Sequence, residues 1–253
     1  MAGRGLLHSG LPCRRSQARR PPQSRLYRPG MMRRDRLPNL PADGAGLTCL
    51  EGPEGAACLY ELAQGQEEGA ALRIRGADLT GEELDGLDLS RCLLEDCRFT
   101  GAGLRRLSLT DCILVRCDLS GAQAYDSSLT RCRWQGSKAL GCSLAGSRAR
   151  GWEVVDCRLD ALRLDGAALE SVHVVRSSLA GANLSGLRWK QVELDEADLS
   201  GANVAGTSLK GLDLRSCRLE GLTAGDSLRE LRGAIVDPIQ AAELARLLGL
   251  DIR

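Results

Sequence analysis

The sequence predicts an all-β solenoid whose coils have a square cross-section, and three observations predict it. Every fifth residue from Leu79 to Leu219 is apolar, at 29 positions in a row. The residue two places before each of them is small or apolar, with Glu82 as the one exception. At every twentieth residue from 81 to 221, seven of eight positions hold glycine, and Ala161 is the eighth.

The period of five excludes a helix and an ordinary strand, because their buried faces repeat at about 3.6 and about 2 residues. It fits a chain that runs straight for about three residues, turns a corner and repeats. The apolar residue and the one two before it then point inward, and the other three face water. Four such sides make one coil, so the pattern predicts about seven coils. The recurring glycines mark one corner, because glycine tolerates a left-handed backbone there.

The units also resemble a known family. The clearest are ANLSG at 182–186 and ADLSG at 197–201, and the tandem A(D/N)LXX pattern over about residues 72–236 is similar to the pentapeptide-repeat family. The resemblance implies a right-handed quadrilateral β-helix of about seven coils at 76–222, with a short capping α-helix at the C-terminus. A leucine-rich repeat is the nearest competitor, but it needs units of about 20–29 residues with unequal leucine spacing.

Residues 1–43 are predicted to be a disordered basic arm, because they hold six of the eight prolines and are rich in arginine. Such a segment is typical of a nucleic-acid-binding arm or an organelle transit peptide. We favour an over-extended translation start instead, with Met31 or Met32 as the true beginning. A signal peptide is not favoured, because no apolar stretch follows the charges.

Residues 44–75 are predicted to form a capping segment, since the open end of a solenoid exposes apolar side chains and unpaired backbone groups. A short helix is expected over 55–64 and a strand at 72–74. Residues 223–253 are expected to close the other end, with a final partial coil at 231–236. Asp237 and Pro238 predict the start of a helix over 239–248, which Gly249 ends.

Eight of the eleven cysteines occupy the inward position two before the central residue. We interpret them as small buried hydrophobes, because the C-x4-C spacing follows from the repeat and differs from that of metal-binding knuckles. Cys92, Cys112 and Cys132 should stack on successive coils. No metal and no cofactor is predicted, and free buried thiols favour the cytoplasm. Trp152 takes a position that is otherwise small, which predicts a local bulge.

Two outward surfaces are candidates for interaction. The side centred on Leu94 is expected to expose an apolar patch, and the residues of this candidate interaction surface are Leu93, Ile113, Val115, Val155 and Val175. His173 lies on the same side and is expected to be solvated. A second side is expected to carry a basic stripe, formed by Arg148, Arg150, Arg188, Lys190 and Lys210. It lacks interleaved aromatic residues, so nucleic-acid binding is not favoured.

No catalytic constellation is visible. Histidine occurs only at His8 and His173, and no phosphate-binding loop or nucleophile motif is present. No apolar run approaches the length of a transmembrane helix. The sequence therefore predicts a protein that is not an enzyme and has neither a small-molecule substrate nor a membrane partner.

Two functions remain. The first is a non-catalytic scaffold that binds an unidentified protein partner. The alternative, implied by the resemblance, is a DNA mimic that binds DNA gyrase and gives quinolone resistance. Residues 76–222 hold 18 basic and 21 acidic residues, and this near balance does not imitate a phosphate array. The resemblance also implies a homodimer through the C-terminal end.

Overall fold

The computed structural model describes Pro38, Leu40 and residues 46–250, except for the side chain of Leu248. The basic arm predicted over residues 1–43 lies outside the described residues, apart from Pro38 and Leu40. No described helix is long and apolar enough to cross a membrane. The strands are β1 Thr48–Glu51, β2 Glu68–Ala70, β3 Leu72–Arg75, β4 Asp88–Ser90, β5 Leu93–Glu95, β6 Ser108–Thr110, β7 Ile113–Val115, β8 Ser128–Gln135, β9 Arg148–Val155, β10 Ala168–Val175 and β11 Arg188–Asp195. The helices are α1 Gly52–Gly65 and α2 Pro238–Ala245, with 3₁₀ turns at Arg229–Leu231 and Arg246–Leu248.

The predicted solenoid is confirmed. The chain forms a parallel β-solenoid of about seven turns, and residues of neighbouring coils pair at a spacing of twenty, as Leu89 does with Leu109. We number the four sides of a coil from the first one, centred on Leu79, Leu84, Leu89 and Leu94. Sides three and four carry the strands, and each coil from β8 to β11 runs through both in one strand. Sides one and two are joined by isolated bridges.

Every corner from Gly81 to Gly211 places one residue in the left-handed region, two positions after the central apolar residue. Glycine takes this position at many corners, as at Gly141 with a φ of 63°. The glycine corner predicted by the sequence follows this rule, and Ala161 adopts the same conformation with a φ of 56°. These residues turn the chain from one side to the next.

The core is the stack of inward side chains. All of the central apolar residues from Leu79 to Leu219 are buried except Trp189, which is partly exposed. The positions two before them are buried as well, again with the exception of Glu82. The two cavities found inside this core measure about 20 and about 10 Å³, which is room for about one water molecule each. The described core is therefore close-packed and holds no space for a substrate.

The bulge predicted at Trp152 is wrong. Trp152 stands in register with Cys132, and β9 continues without a shift against β8. Its ring packs edge to face against Trp134, with ring centroids 5.0 Å apart. Ala139 and Ala149 are the small central residues of the same coil, and they leave the volume that the two rings fill.

The first coil is covered by α1, which begins three residues before the helix expected from the sequence. Leu59 and Ala63 of α1 are buried in the same core, and the Gln64 amide donates a hydrogen bond to the carbonyl of Glu83 at 3.2 Å. The strand expected at 72–74 is β3, which pairs with β5. Strands β1 and β2, which the sequence did not predict, extend the ladder before the first regular coil.

The last coil is supported by the chain that follows it. Ile235 pairs with Asp213, and the Leu209 amide donates to the carbonyl of Glu230 at 2.8 Å. Asp237 caps α2 by accepting hydrogen bonds from the amides of Ile239 and Gln240. Gly249 follows the final 3₁₀ turn with a φ of 76°, so the expected start and stop residues both take those positions.

Candidate interaction surfaces

The apolar surface predicted on side four is only partly exposed. Leu93 and Val175 are buried, with 4% and 0% of their surface exposed, so the prediction that they face solvent is wrong. Leu93 lies in register between Arg73 and Ile113, and such stacked neighbours cover a side chain from above and below. The partly exposed members are Ile113, Val115 and Val155.

Polar residues also interrupt this apolar surface. Arg133 follows Ile113 in one column, and Gln135 follows Val115 in the other. The apolar residues therefore form two separate groups rather than one contiguous patch. A contiguous patch is the feature that marks an interface, and scattered apolar residues are common on any surface.

Side four instead holds two buried titratable groups that point outward by their place in the repeat. Glu153 is 2% exposed and forms an ion pair with Arg133 at 2.5 Å. His173 is 6% exposed, which contradicts its expected solvation, and its Nε2 lies 3.9 Å from a carboxylate oxygen of Glu193. The fivefold rhythm predicts the direction of a side chain, but it does not predict which neighbours cover it. The burial of Glu153 and of His173 could therefore not be predicted from the sequence.

The basic stripe lies on the outside of side three, where the sequence placed it. We call this set the cationic surface, and its residues are all exposed: Arg148, Arg150, Arg188, Lys190 and Lys210. Glu170 stands between Arg150 and Lys190 in one column and pairs with both, at 3.7 and 3.6 Å. In the other column, Ala168 separates Arg148 from Arg188.

Three members of the cationic surface carry uncompensated charge. Among the described residues, Arg148, Arg188 and Lys210 form no ion pair. Arg148 and Arg188 are two strand spacings apart, or about 10 Å. Their charges therefore remain available to a partner.

Next to the cationic surface, the ladder of backbone hydrogen bonds is interrupted. Strand β11 pairs with β10 over its length, but no backbone hydrogen bond joins it to residues 208–215, and both segments lie within the described part of the chain. Sides one and two stay bridged between the same two coils, through Ser178 with Asp198 and Asn183 with Asn203. The last coil therefore parts from β11 on sides three and four only.

This separation opens a cleft of about 380 Å³. The indole of Trp189 reaches into the gap, and its Nε1 donates a hydrogen bond to the carbonyl of Ser208 at 2.6 Å. Arg188 and Lys210 of the cationic surface line the cleft together with Gln191 and Gly211. The fivefold rhythm of the sequence does not predict this cleft.

The central residues of the coil that contains Trp189 indicate the cleft in the sequence. The central neighbours of Trp189 in its coil are Leu179, Leu184 and Leu194, none of which is small. Trp134 has Ala124 in its own coil and is followed by Ala139 at the next central position, and it is fully buried. A large ring without a small neighbour cannot fit a core of fixed volume, so it moves outward and holds the next coil away.

The eight inward cysteines are buried and free. Seven of these thiols, all but that of Cys142, donate to carbonyls, as Cys112 Sγ does to Leu89 O at 3.3 Å and Cys132 Sγ to Leu109 O at 3.3 Å. Burial raises the pKa of Cys132 and of Cys142 to about 12 and that of Cys157 to about 11. Within the described part of the chain, no group of three or more His, Cys, Asp or Glu residues is placed to hold a metal ion.

A family model described as pentapeptide repeats matches the chain with eight copies, at residues 193–223. No curated protein matches the sequence. A trypsin-treated form of QnrB1, a plasmid-mediated fluoroquinolone resistance protein, is 18% identical with a TM-score of 0.42, over 82% of this chain and 99% of that chain. HetL from the cyanobacterium Nostoc sp. strain PCC 7120, a pentapeptide repeat protein involved in heterocyst differentiation regulation, is 22% identical with a TM-score of 0.40, over 67% of this chain and 89% of that chain.

The five-residue rhythm is present on all sides of the coils, and the family model recognises it in the sequence. Neighbouring coils pair in parallel at a spacing of twenty residues, which is four repeats. The repeats and the four-sided coils give this chain a pentapeptide-repeat fold, and the pentapeptide-repeat family model matches it at residues 193–223.

Proposed function

We propose that this protein is a non-catalytic scaffold that binds a protein partner through the cationic surface on side three. The observation that carries the proposal is the uncompensated charge of Arg148, Arg188 and Lys210, which are exposed and unpaired among the described residues. The partner is then a protein with an acidic surface. Such charge complementarity raises the rate of association and selects against partners of the wrong sign.

The rest of the solenoid makes this surface distinctive. Elsewhere an arginine commonly stands one coil away from an acid, as Arg116 does from Asp96 at 2.7 Å and Arg176 from Asp156 at 2.8 Å. Arg131 and Asp111 repeat the arrangement at 2.5 Å. These pairs cancel locally, so they leave little field for a charged partner. The cationic surface departs from this pattern.

The alternative of a gyrase-binding DNA mimic is not favoured by the same charges. A mimic needs a continuous array of negative charge, because it replaces a row of phosphates. Here acids alternate with arginines in the columns, as at Asp78 with Arg98 and Asp111 with Arg131. A gyrase supercoiling titration tests this alternative, and inhibition at micromolar protein would establish it against our proposal.

Site-specific photocrosslinking in the source cells tests the scaffold proposal. A benzoylphenylalanine replaces Arg148 in one variant and Arg98, which is exposed on side one, in a matched variant. We expect acidic proteins to be crosslinked from position 148 and not from position 98. Identical crosslinked proteins from both positions, or none from position 148, would refute the proposal.

A homodimer through the C-terminal end is a second part of the proposal. The end of the chain exposes apolar side chains, with Ile239 74% and Leu250 55% exposed. Association of this end with a second copy would remove them from water. We expect the wild-type protein to sediment as a dimer and Ile239→Asp as a monomer.

The buried free thiols fit a reducing compartment, so we propose that the scaffold acts in the cytoplasm.

A further inference from the structure

The cleft beside β11 has an edge of unsatisfied backbone groups. In a parallel ladder, alternate residues direct both their N–H and their C=O toward the same neighbouring strand. In the coils below, the central residue and the one two after it donate toward the next coil, as Leu79 does to Arg98 O and Gly81 to Thr100 O. By the same alternation, the amides of Trp189 and Leu194 face the cleft, where residues 208–215 offer no backbone partner.

The lining of the cleft is cationic. Arg188 and Lys210 line it, and Lys190 is exposed on the same strand. On side three of β10, Glu170 pairs with Lys190 and Arg150. The acids of β11 itself, Glu193 and Asp195, lie on side four. Arg188 and Lys210 therefore present uncompensated positive charge at the open edge of a strand.

We propose that this cleft binds an extended acidic segment of a partner protein, which adds to the open edge of β11 as a further strand. The backbone of the segment pairs with the amides and carbonyls of β11, and its carboxylates contact Arg188 and Lys210. The proposal rests on the proposed function, because it assigns the acidic partner a binding mode. Strand addition to an open sheet edge is a general way in which proteins recognise peptides.

A single-stranded nucleic acid is the other polyanion that a cationic cleft attracts. Nucleic acids of this kind bind through several aromatic side chains on which successive bases stack. Trp189 is the one aromatic residue that lines this cleft in the described chain, and its indole nitrogen is already bonded to Ser208. A peptide uses the open backbone edge, which a base cannot, so the peptide is the favoured ligand.

Fluorescence anisotropy with the full-length protein tests the proposal. The probe is the fluorescein-labelled peptide acetyl-Glu-Val-Glu-Val-Glu-Val-amide, and the matched probe carries N-methyl groups on the amides of all six residues. Both probes have the same charge, but the methylated one lacks the backbone donors that either strand direction would use. We expect the methylated peptide to bind at least about tenfold more weakly. Equal affinity of the two peptides, or no binding of the first, would overturn strand addition.

Two double variants, each with two charges reversed, locate the site. Arg188→Glu/Lys210→Glu should weaken binding of the peptide at least about tenfold, while Arg98→Glu/Arg158→Glu, on side one, should leave it unchanged. Equal losses in both variants would show nonspecific attraction and overturn the proposal. Each variant is first checked for unaltered urea unfolding, which separates loss of binding from loss of fold.

Trp189→Leu gives a test that does not change charge. Leucine matches the central residues Leu169 and Leu209 of the neighbouring coils, so residues 208–215 can approach β11 and complete the ladder. We expect slower amide hydrogen exchange in β11 together with loss of peptide binding. Undiminished binding to this variant would overturn the proposal.

The remaining outcomes separate this inference from the proposed function. Tighter binding of an oligothymidylate than of the peptide, lost in Arg188→Glu/Lys210→Glu, would replace the peptide by a nucleic acid. Crosslinking of a partner from position 148 without peptide binding would refute the strand addition alone. Peptide binding without any crosslinked partner would refute the scaffold proposal and leave the cleft as a peptide site.

Discussion

A single residue at each corner of a coil adopts the left-handed conformation, and its cost depends on the residue type. Glycine adopts it without a steric penalty, whereas a residue with a Cβ is strained by about 1 kcal/mol or more. Ala161 stands in a column whose other members are glycines, as Gly141 and Gly181 are, and has a φ of 56°. The strain at this corner is therefore local and removable.

We expect Ala161→Gly to raise the free energy of unfolding by about 0.5–1 kcal/mol, because relief of the strain exceeds the entropy that glycine adds to the unfolded chain. The matched control is Gly141→Ala, whose new Cβ would meet no atom within 4 Å. It should lower the free energy of unfolding by about the same amount. Urea unfolding measures both, and equal stability of the three proteins would contradict the prediction.

The inward thiols give a second prediction at this scale. Burial raises the pKa of Cys142 to about 12, so its reactive thiolate is scarce at neutral pH. In the variant Cys13→Ser/Cys49→Ser/Cys58→Ser, which keeps only the eight buried cysteines, we expect no rapid reaction with Ellman's reagent at pH 8. All eight thiols should react after urea is added. Rapid labelling of the native variant would show that the core opens.

Directions of single side chains could be predicted from the sequence, but their coverage could not. The rhythm placed Leu89, Leu109 and Leu129 inward, and all three are buried. It also placed Val175 and His173 outward, yet both are buried. A repeat of five specifies the side on which a residue lies, whereas exposure also depends on the other residues that pack over it.

Among the elements, the two coils that contain a central tryptophan behave differently. The ring of Trp134 is fully buried, and Ala124 of its own coil and Ala139 at the next central position are small. The ring of Trp189 has leucines as its central neighbours, is partly exposed and stands in the cleft beside β11. The sum of side-chain volumes in a coil therefore decides whether the coil closes. That sum can be read from a sequence, but the direction in which the coil opens depends on how its neighbours are held.

The C-terminal cap holds the last coil through one buried side chain. Gln240 is 6% exposed, and its Nε2 donates to Leu214 O at 2.8 Å and to Cys217 O at 2.7 Å. Its Oε1 accepts the amide of Asp237 at 2.9 Å. The aspartate at the start of α2 could be predicted from the sequence, but this anchor could not, because it joins residues more than twenty positions apart.

We expect Gln240→Ala to lower the free energy of unfolding by about 2–3 kcal/mol, because two buried carbonyls and one amide lose their partner. Limited trypsin digestion should cleave after Arg246 faster in the variant. The control is Gln123→Ala, which removes one exposed hydrogen bond to Gly121 O and should change stability by less than about 0.5 kcal/mol. Similar effects of the two substitutions would contradict the anchoring role.

At the scale of the whole molecule, the buried thiols couple stability to alkaline pH. The folded pKa values of Cys132, Cys142 and Cys157 are raised from 9.0 to about 12, 12 and 11. Below pH 9 the folded and unfolded states both keep the protons, so stability is unaffected. Above pH 9 only the unfolded state releases them, and each thiol lowers the free energy of unfolding by about 1.4 kcal/mol per pH unit.

We therefore expect the wild-type protein to lose about 4 kcal/mol more between pH 8 and pH 10 than Cys132→Ala/Cys142→Ala/Cys157→Ala. Alanine is common at these inward positions, as at Ala102 and Ala122, so the variant keeps the fold. Urea unfolding under reducing conditions at both pH values measures the difference. Parallel losses in the two proteins would show that these thiols do not control the alkaline limit.

The architecture of the whole solenoid was predictable because one short rule repeats through it. Each side needs two inward residues and one corner, and the chain supplies them from Leu79 to Leu219. The ends were predicted less well, because the sequences of β1 and β2 do not follow the five-residue repeat. The cleft was not predicted because it arises where the ladder fails to continue.

The register between coils also limits how this chain can change length in evolution. Leu89 pairs with Leu109 and Leu109 with Leu129, so duplication or loss of one complete coil would leave each later residue above its former kind of neighbour. An insertion of five residues would keep the inside apolar but turn all later columns by a quarter revolution. Arginines would then face new sides and lose the acids beneath them. Inherited length changes should therefore come in whole coils.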